Sequence, residues 1–180
     1  HSPYDYPKIF DEIEWPVIEK QYVNSGHYTD MAIKMFMEKA RQQDWYDNTL
    51  FIFVADHSHT SYKNHIIDSF DHHKIPMLIY GEPLQDSLRG KTFDKICGNT
   101  DLPAMILAQL GQSHDEFFWS KDVFNQCYKP FAFFEINNGV GWKTPEGEFV
   151  YYNSGNFVKN TLPENVRDSV VLDGKAYMQY

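Results

Sequence analysis

The sequence predicts an α/β fold followed by a small antiparallel β region. Two short unbroken apolar runs, Leu50-Phe51-Ile52-Phe53-Val54-Ala55 and Ile75-Pro76-Met77-Leu78-Ile79-Tyr80, have the length and β-favouring composition of strands buried on both faces. Segments with helical spacing lie before the first run and after the second, and strand, loop, strand, helix is the order of an α/β domain. From Pro130 onward the pattern changes to short apolar stretches separated by Asn- and Gly-containing turns.

Taken in order, residues 1–24 are rich in Pro and aromatic residues (Pro3, Tyr4, Tyr6, Pro7, Trp15, Pro16), which predicts an extended entry. Ser25 then suits a helix N-cap. Tyr28, Met31, Ala32, Met35, Phe36 and Lys39 follow the i, i+3, i+4, i+7 rhythm of an amphipathic helix to about Arg41. Residues 44–48 form a turn cluster before the first apolar run. A polar, His-rich stretch separates it from the second, which Gly81 stops and in which Pro76 fits the start better than the middle. Thr100 or Asp101 can cap a further helix with Pro103 in its first turn. Met105, Ile106 and Leu110 are its predicted inner face and Gly111 its end. Beyond Pro130, residues 131–136, 140–142 and 148–152 read as strands joined by turns at Asn137-Asn138-Gly139 and Pro145-Glu146-Gly147. Their aromatic residues (Phe131, Phe133, Phe134, Trp142, Phe149, Tyr151, Tyr152) are expected to alternate into a small core beneath the sheet. The expected division is residues 1–129 for the α/β part and 130–180 for the antiparallel appendage.

Composition narrows the function. Hydrophobic residues make up 42% of the 180, enough for a real core, and Lys plus Arg total 16 against 25 Asp plus Glu, a formal charge of −9. Such a charge repels phosphate backbones and anionic lipid surfaces, so no nucleic-acid partner is expected. No apolar run approaches the roughly 20 residues that cross a bilayer. This segment is therefore expected not to span a membrane. Cys97 and Cys127, the two cysteines, are too few for a disulfide scaffold, and the sequence allows them paired or free. The chain opens His-Ser-Pro-Tyr, without an initiator Met or a signal core, and so reads as a piece of a longer product.

Five of the eight histidines (His57, His59, His65, His72, His73) fall between the two predicted strands. Asp56 and His57 directly follow the first of them, and ligands of open α/β sheets gather beyond strand carboxyl ends. There a carboxylate and an imidazole can share one divalent cation, the first supplying charge and the second a nitrogen suited to zinc or manganese. A turn-capping Asp56 among solvated histidines fits the same local pattern. His59 and His65 read as loop residues, His27 as a helix residue and His114 as part of a polar loop.

Three stretches in order decide between these alternatives. Residues 46–57 (YDNTLFIFVADH), residues 73–80 (HKIPMLIY) and residues 99–107 (NTDLPAMIL) closely resemble the C-terminal half of sulfatases in the alkaline phosphatase superfamily. The lipoteichoic acid synthase-like branch, with its phosphoglycerol transferases, is the most similar one. The resemblance covers about residues 1–125. It implies an alkaline phosphatase-like sandwich with a mainly parallel central sheet. It also implies a catalytic divalent metal (Mn, Zn, Mg or Ca) held in part by Asp56 and His57. His1, in His1-Ser2-Pro3-Tyr4, matches the family's substrate-binding histidine, and His73 or Lys74 stands where relatives carry a basic residue facing the anionic ester. Either of those two fits.

The same resemblance implies a metal-dependent hydrolase or transferase acting on a sulfate or phosphate ester, with a lipid or glycan headgroup as one form of substrate. A metal-activated hydroxyl attacks phosphorus or sulfur, and water or an acceptor alcohol resolves the covalent ester. In relatives the nucleophile lies N-terminal to the segment matching His1, and no Ser or Thr here inherits its role. The 180 residues alone are thus expected to be inactive. Two other functions stand beside this one: a non-catalytic binding or structural module, favoured if the C-terminal rings are exposed together, and a two-metal phosphodiesterase or mutase using His72 or His73. By analogy with the same branch, the setting is the periplasmic or extracellular face of a membrane, within a membrane-anchored protein.

Overall fold

A computed structural model of the chain describes residues 4–60 and 66–179, so His1 and His65 lie outside the described residues. The chain divides into two compact units, one of His1–Val54 with Met77–Gly90, the other of Ala55–Pro76 with Lys91–Tyr180.

The first unit contains helix α1 (Lys20–Ala40) and strands β1 (Phe51–Val54) and β2 (Met77–Tyr80). Helix α1 begins five residues before the expected Ser25 cap. The reason is Asn24, fully buried, whose side-chain oxygen accepts from Ile13 N at 2.7 Å while its amide donates to Ile13 O at 3.0 Å and Lys20 O at 2.9 Å. The entry segment is thereby tied to the first turn of α1, and that contact outweighs Ser25 as a local cap. Met37 and Ala40 of α1 bury against Phe51, with Tyr46 and Phe53 packed around them.

Strands β1 and β2 pair antiparallel, in register from Phe51 opposite Tyr80 to Val54 opposite Met77. Both sheets of the described residues are antiparallel, so the parallel pairing implied for the central sheet is not among them. Nor are β1 and β2 covered on both faces: Phe51 is buried, but Val54, Met77 and Leu78 are exposed.

The second unit holds α2 (Phe70–His73), α3 (Leu102–Gln109), β3 (Ala132–Ile136), β4 (Gly139–Thr144), β5 (Gly147–Tyr152), β6 (Phe157–Asn160) and α4 (Glu164–Tyr177). A 3-10 turn at Asn99–Asp101 leads into α3. The buried Asp101 carboxylate accepts from Gly98 N at 3.0 Å, Lys121 N at 3.1 Å and Lys121 Nζ at 2.7 Å. Ala104 and Met105 form the inner face of α3, whereas Ile106 and Leu110, expected there, are exposed. Cys97 is half-buried, Cys127 exposed, and both are free thiols.

Strands β3 to β6 form a meander in chain order. The expected turns join β3 to β4 and β4 to β5, while β6 and α4 had not been anticipated. Because successive side chains point to opposite faces, cross-strand partners share one face. On the first, Phe133 lies opposite Trp142 and Trp142 opposite Phe149. These rings build the core with Val140 and Leu162, and Val170, Val171 and Tyr177 of α4 pack onto it. On the second face, Phe134 lies opposite Gly141, Gly141 opposite Val150 and Val150 opposite Lys159. Phe131, Phe133, Trp142, Phe149 and Tyr151 thus enter the core that the sequence predicts, whereas Phe134 and Tyr152, expected with them, lie on the second face.

Helix α4 approaches the sheet through Gly174. A Cβ there would come 2.8 Å from Phe149 and 3.1 Å from Trp142, so only hydrogen lets the helix sit this close. Gly174→Leu should lower unfolding free energy by about 1–3 kcal/mol through overpacking, while Leu172→Ala, at an exposed position of the same helix, should change it by less than about 0.5 kcal/mol. Urea unfolding of both variants checks this, and equal effects would contradict it.

Candidate functional site

The site is built where the chain leaves β1. After Val54 the backbone bends at Asp56 and His57, and Asp56 Oδ1 accepts the His57 backbone N–H at 2.9 Å. His57 Nδ1 lies 2.8 Å from the Ser58 carbonyl oxygen. A carbonyl only accepts, so Nδ1 carries the hydrogen, and in the neutral imidazole Nε2 bears the lone pair. That nitrogen faces Asp56 Oδ2 at 3.6 Å, and the two side chains are 71% and 78% exposed. Acid and imidazole are brought together and open to solvent.

The donor set suits a divalent ion. One carboxylate oxygen and one imidazole nitrogen 3.6 Å apart can both reach an ion lying about 2.1 Å from each. A ring whose other nitrogen donates to a backbone carbonyl is also the usual arrangement of a metal-ligating histidine. The pair supplies only part of a shell: among the described residues no group of three or more His, Cys, Asp or Glu is placed to hold an ion.

Asn99 adds a contact that the sequence motif did not explain. Its Nδ2 donates to the carbonyls of Ala55 and Asp56, each at 3.3 Å, across more than forty residues of chain. The turn carrying Asn99 is itself fixed by the buried Asp101 carboxylate and Lys121. Asn99 thus pins the backbone that presents the pair. Asn in this motif was visible in the sequence, but its partners, two carbonyls with no sequence signature, were not.

His73 and Lys74 are separated by the fold. His73 stacks on Phe134, ring centroids 3.8 Å apart and 15° from parallel, and its Nε2 lies 2.8 Å from Ile67 O. Burial holds its pKa below the ordinary 6.5, against the opposing effects of the Ile67 carbonyl and the Asp68 charge. Lys74 follows as the C-cap of α2 and is exposed. His72 is buried in α2, whose N-cap Ser69 accepts from the His72 backbone N–H at 3.2 Å. His59 lies half-buried in the coil beyond the pair, and His27 meets Phe10 edge-on at 4.6 Å. His1 lies outside the described residues.

A sulfatase family profile matches residues 1–112. The chain belongs to the sulfatase family. Members of this family and of the alkaline phosphatase superfamily typically use divalent metals. The fold agrees: the sulfatase-family chain superposes on a crystal structure of an alkaline phosphatase superfamily protein from Vibrio parahaemolyticus with a TM-score of 0.72 and 24% identity. The match covers 99% of this chain and 47% of that one, so the chain spans about half the length of that relative.

The depressed His73 pKa has a consequence for stability. Below pH 6.5 the unfolded chain takes up a proton that the folded His73 resists, so folding is favoured above that pH and weakened as pH falls through it towards the folded-state pKa. Wild type should therefore lose stability relative to His73→Gln between pH 7.5 and pH 5.5 in paired urea titrations. A gap that stays constant, or that moves in favour of wild type at low pH, would contradict the assignment.

Proposed function

We propose that the protein is a metal-dependent hydrolase or transferase that acts on a sulfate or phosphate ester through a covalent intermediate, on the lipoteichoic acid synthase-like, phosphoglycerol transferase side of the family. The observation that carries this reading is the 3.6 Å approach of His57 Nε2 to Asp56 Oδ2 in an open site, in a chain of the sulfatase family.

Asp56 and His57 are the proposed ligands of the divalent ion. When bound, that ion supplies positive charge to the transferred group and makes a hydroxyl more acidic. The remaining work falls to residues of this chain. The Ser58 carbonyl keeps a hydrogen on Nδ1 of His57, so that in the neutral ring Nε2 is the nitrogen able to ligate. Asn99 holds the carbonyls of Ala55 and Asp56 and with them the direction of the Asp56 side chain. Of the two candidates for the ester-facing cation, the exposed Lys74 is favoured, because the His73 ring is committed to Phe134 and Ile67 O. Lys74 attracts the ester oxygens and stabilises charge on them as the bond breaks. His1 is carried as a substrate-binding residue on family resemblance alone. The nucleophile is proposed to lie outside these 180 residues.

The engagement of His73 weighs against a second metal there, as a two-metal phosphodiesterase or mutase would need. The packing of Phe131, Phe133, Trp142, Phe149 and Tyr151 into one core removes the exposed aromatic surface that would favour a binding module. No helix among the described residues is long and apolar enough to cross a membrane. A periplasmic or extracellular setting, through an anchor elsewhere in the protein, completes the proposal.

In the natural full-length protein, Asp56→Ala and His57→Ala should each weaken binding of Mn²⁺ or Zn²⁺ by more than the roughly 10–100-fold that changes outside the ligand shell cost. Turnover of sulfate and phosphate esters should fall with it. Metal content and rate at wild-type levels in both variants would refute the assignment. Asn99→Asp, which keeps the shape and loses the donor, should cost about tenfold in metal affinity, read by calorimetry. No loss would show that Asn99 does not support the pair.

A further inference from the structure

The second face of the β3–β6 sheet is met by Asp68, Phe70 and His73 of the His-rich segment. Phe134 of β3 stacks on His73 at 3.8 Å and meets the Phe70 ring edge-on at 4.8 Å. Tyr152 of β5 donates its hydroxyl hydrogen to Asp68 Oδ2 at 2.7 Å. Lys143 of β4 lies over the Phe70 ring, 5.3 Å from its centroid. Gly141 makes room for this arrangement: a Cβ there would fall 2.2 Å from the Phe134 ring. The turn is thus held at its start through Asp68 and at its end through His73, by two strands that are not neighbours.

We propose that the C-terminal sheet is a positioning platform for this turn, with Phe134 and Tyr152 setting the direction in which Lys74 is presented to an anionic ester. The inference rests on the reading of Lys74 as the ester-facing cation. It gives a role in the site to a region whose sequence carries no catalytic motif. A short helix of four residues cannot hold its own direction, because isolated helices below about 12 residues are marginal in water. A side chain at its C-cap therefore points where tertiary contacts put it. Phe134 provides a flat surface that fixes the His73 ring, and the Tyr152 hydroxyl fixes Asp68, six residues before Lys74. The charged groups around His73 are His72 and Asp68 on its own segment. On the facing sheet, Lys143 and Lys159 both pair with Glu148, and Lys159 also feels Asp71.

The test uses the natural full-length protein and two probes, inorganic sulfate and inorganic phosphate, with affinities read by NMR titration. The ring signals of His73 are followed in the same samples. Lys74→Ala should weaken anion binding about tenfold, and Tyr152→Phe and Phe134→Leu about three- to fivefold each, with no further loss when either is added to Lys74→Ala. Phe134→Leu should also move the His73 titration up towards 6.5 as the ring regains water. If wild type binds neither anion, or Lys74→Ala binds them as well as wild type does, the assignment of Lys74 falls and takes the platform with it. If Lys74→Ala weakens binding but the two sheet variants do not, the platform alone is overturned, and the sheet merely packs against the turn. Additive losses in the double variants overturn it as well, because the sheet would then act other than through Lys74.

Discussion

One hydrogen bond decides what the Asp56–His57 pair can do. With Nδ1 donating to the Ser58 carbonyl, a neutral imidazole carries its lone pair on Nε2, opposite a carboxylate oxygen. Were the hydrogen on Nε2 instead, the same two groups would satisfy each other as donor and acceptor, and the exposed contact would be worth less than about 1 kcal/mol. The tautomer turns a weak surface pair into two electron-donating atoms facing one point. It is set by backbone, and that backbone is held in turn by Asn99 on the carbonyls of Ala55 and Asp56. The geometry of the pair thus depends on a chain of side-chain hydrogen bonds to backbone that begins at the buried Asp101 and its partner Lys121.

The antiparallel sheet serves two faces in two ways. Strict alternation sends Phe133, Trp142 and Phe149 to the face covered by α4, and Phe134, Gly141 and Val150 to the face that carries the turn before Lys74. A glycine opens each face to its neighbour: Gly174 lets α4 approach, and Gly141 leaves space for the Phe134 ring. Both are positions where a missing side chain, rather than a present one, determines packing.

What was legible in the sequence follows from this. The β3–β4 and β4–β5 hairpins were readable because period-two alternation and turn residues are local signals. The place of Asp56 and His57 just beyond β1 was readable because the pair ends an apolar run. Helix α4 was not, since the residue at the centre of its contact is Gly174, which carries no hydropathy signal and reads as a breaker. The inner face of α3 was assigned to Met105, Ile106 and Leu110 by hydrophobicity, yet tertiary packing buries Ala104 beside Met105 and leaves Ile106 and Leu110 exposed. The start of α1 was missed because its determinant is a buried amide bonded to Ile13, eleven residues away. The orientation of the His73 ring was not legible either, since it is set by Phe134, about sixty residues downstream, where no local rule reaches.

The central claim is that Asp56 and His57 hold a divalent ion through Oδ2 and Nε2. Nitrogen NMR of the His57 ring in the natural protein, during titration with Zn²⁺, tests it most directly. The account predicts that the Nε2 resonance shifts with saturable, one-ion behaviour while the Nδ1–H signal persists. An Nε2 resonance that stays in place at saturating zinc, or a shift borne by Nδ1 with loss of its hydrogen, would contradict it.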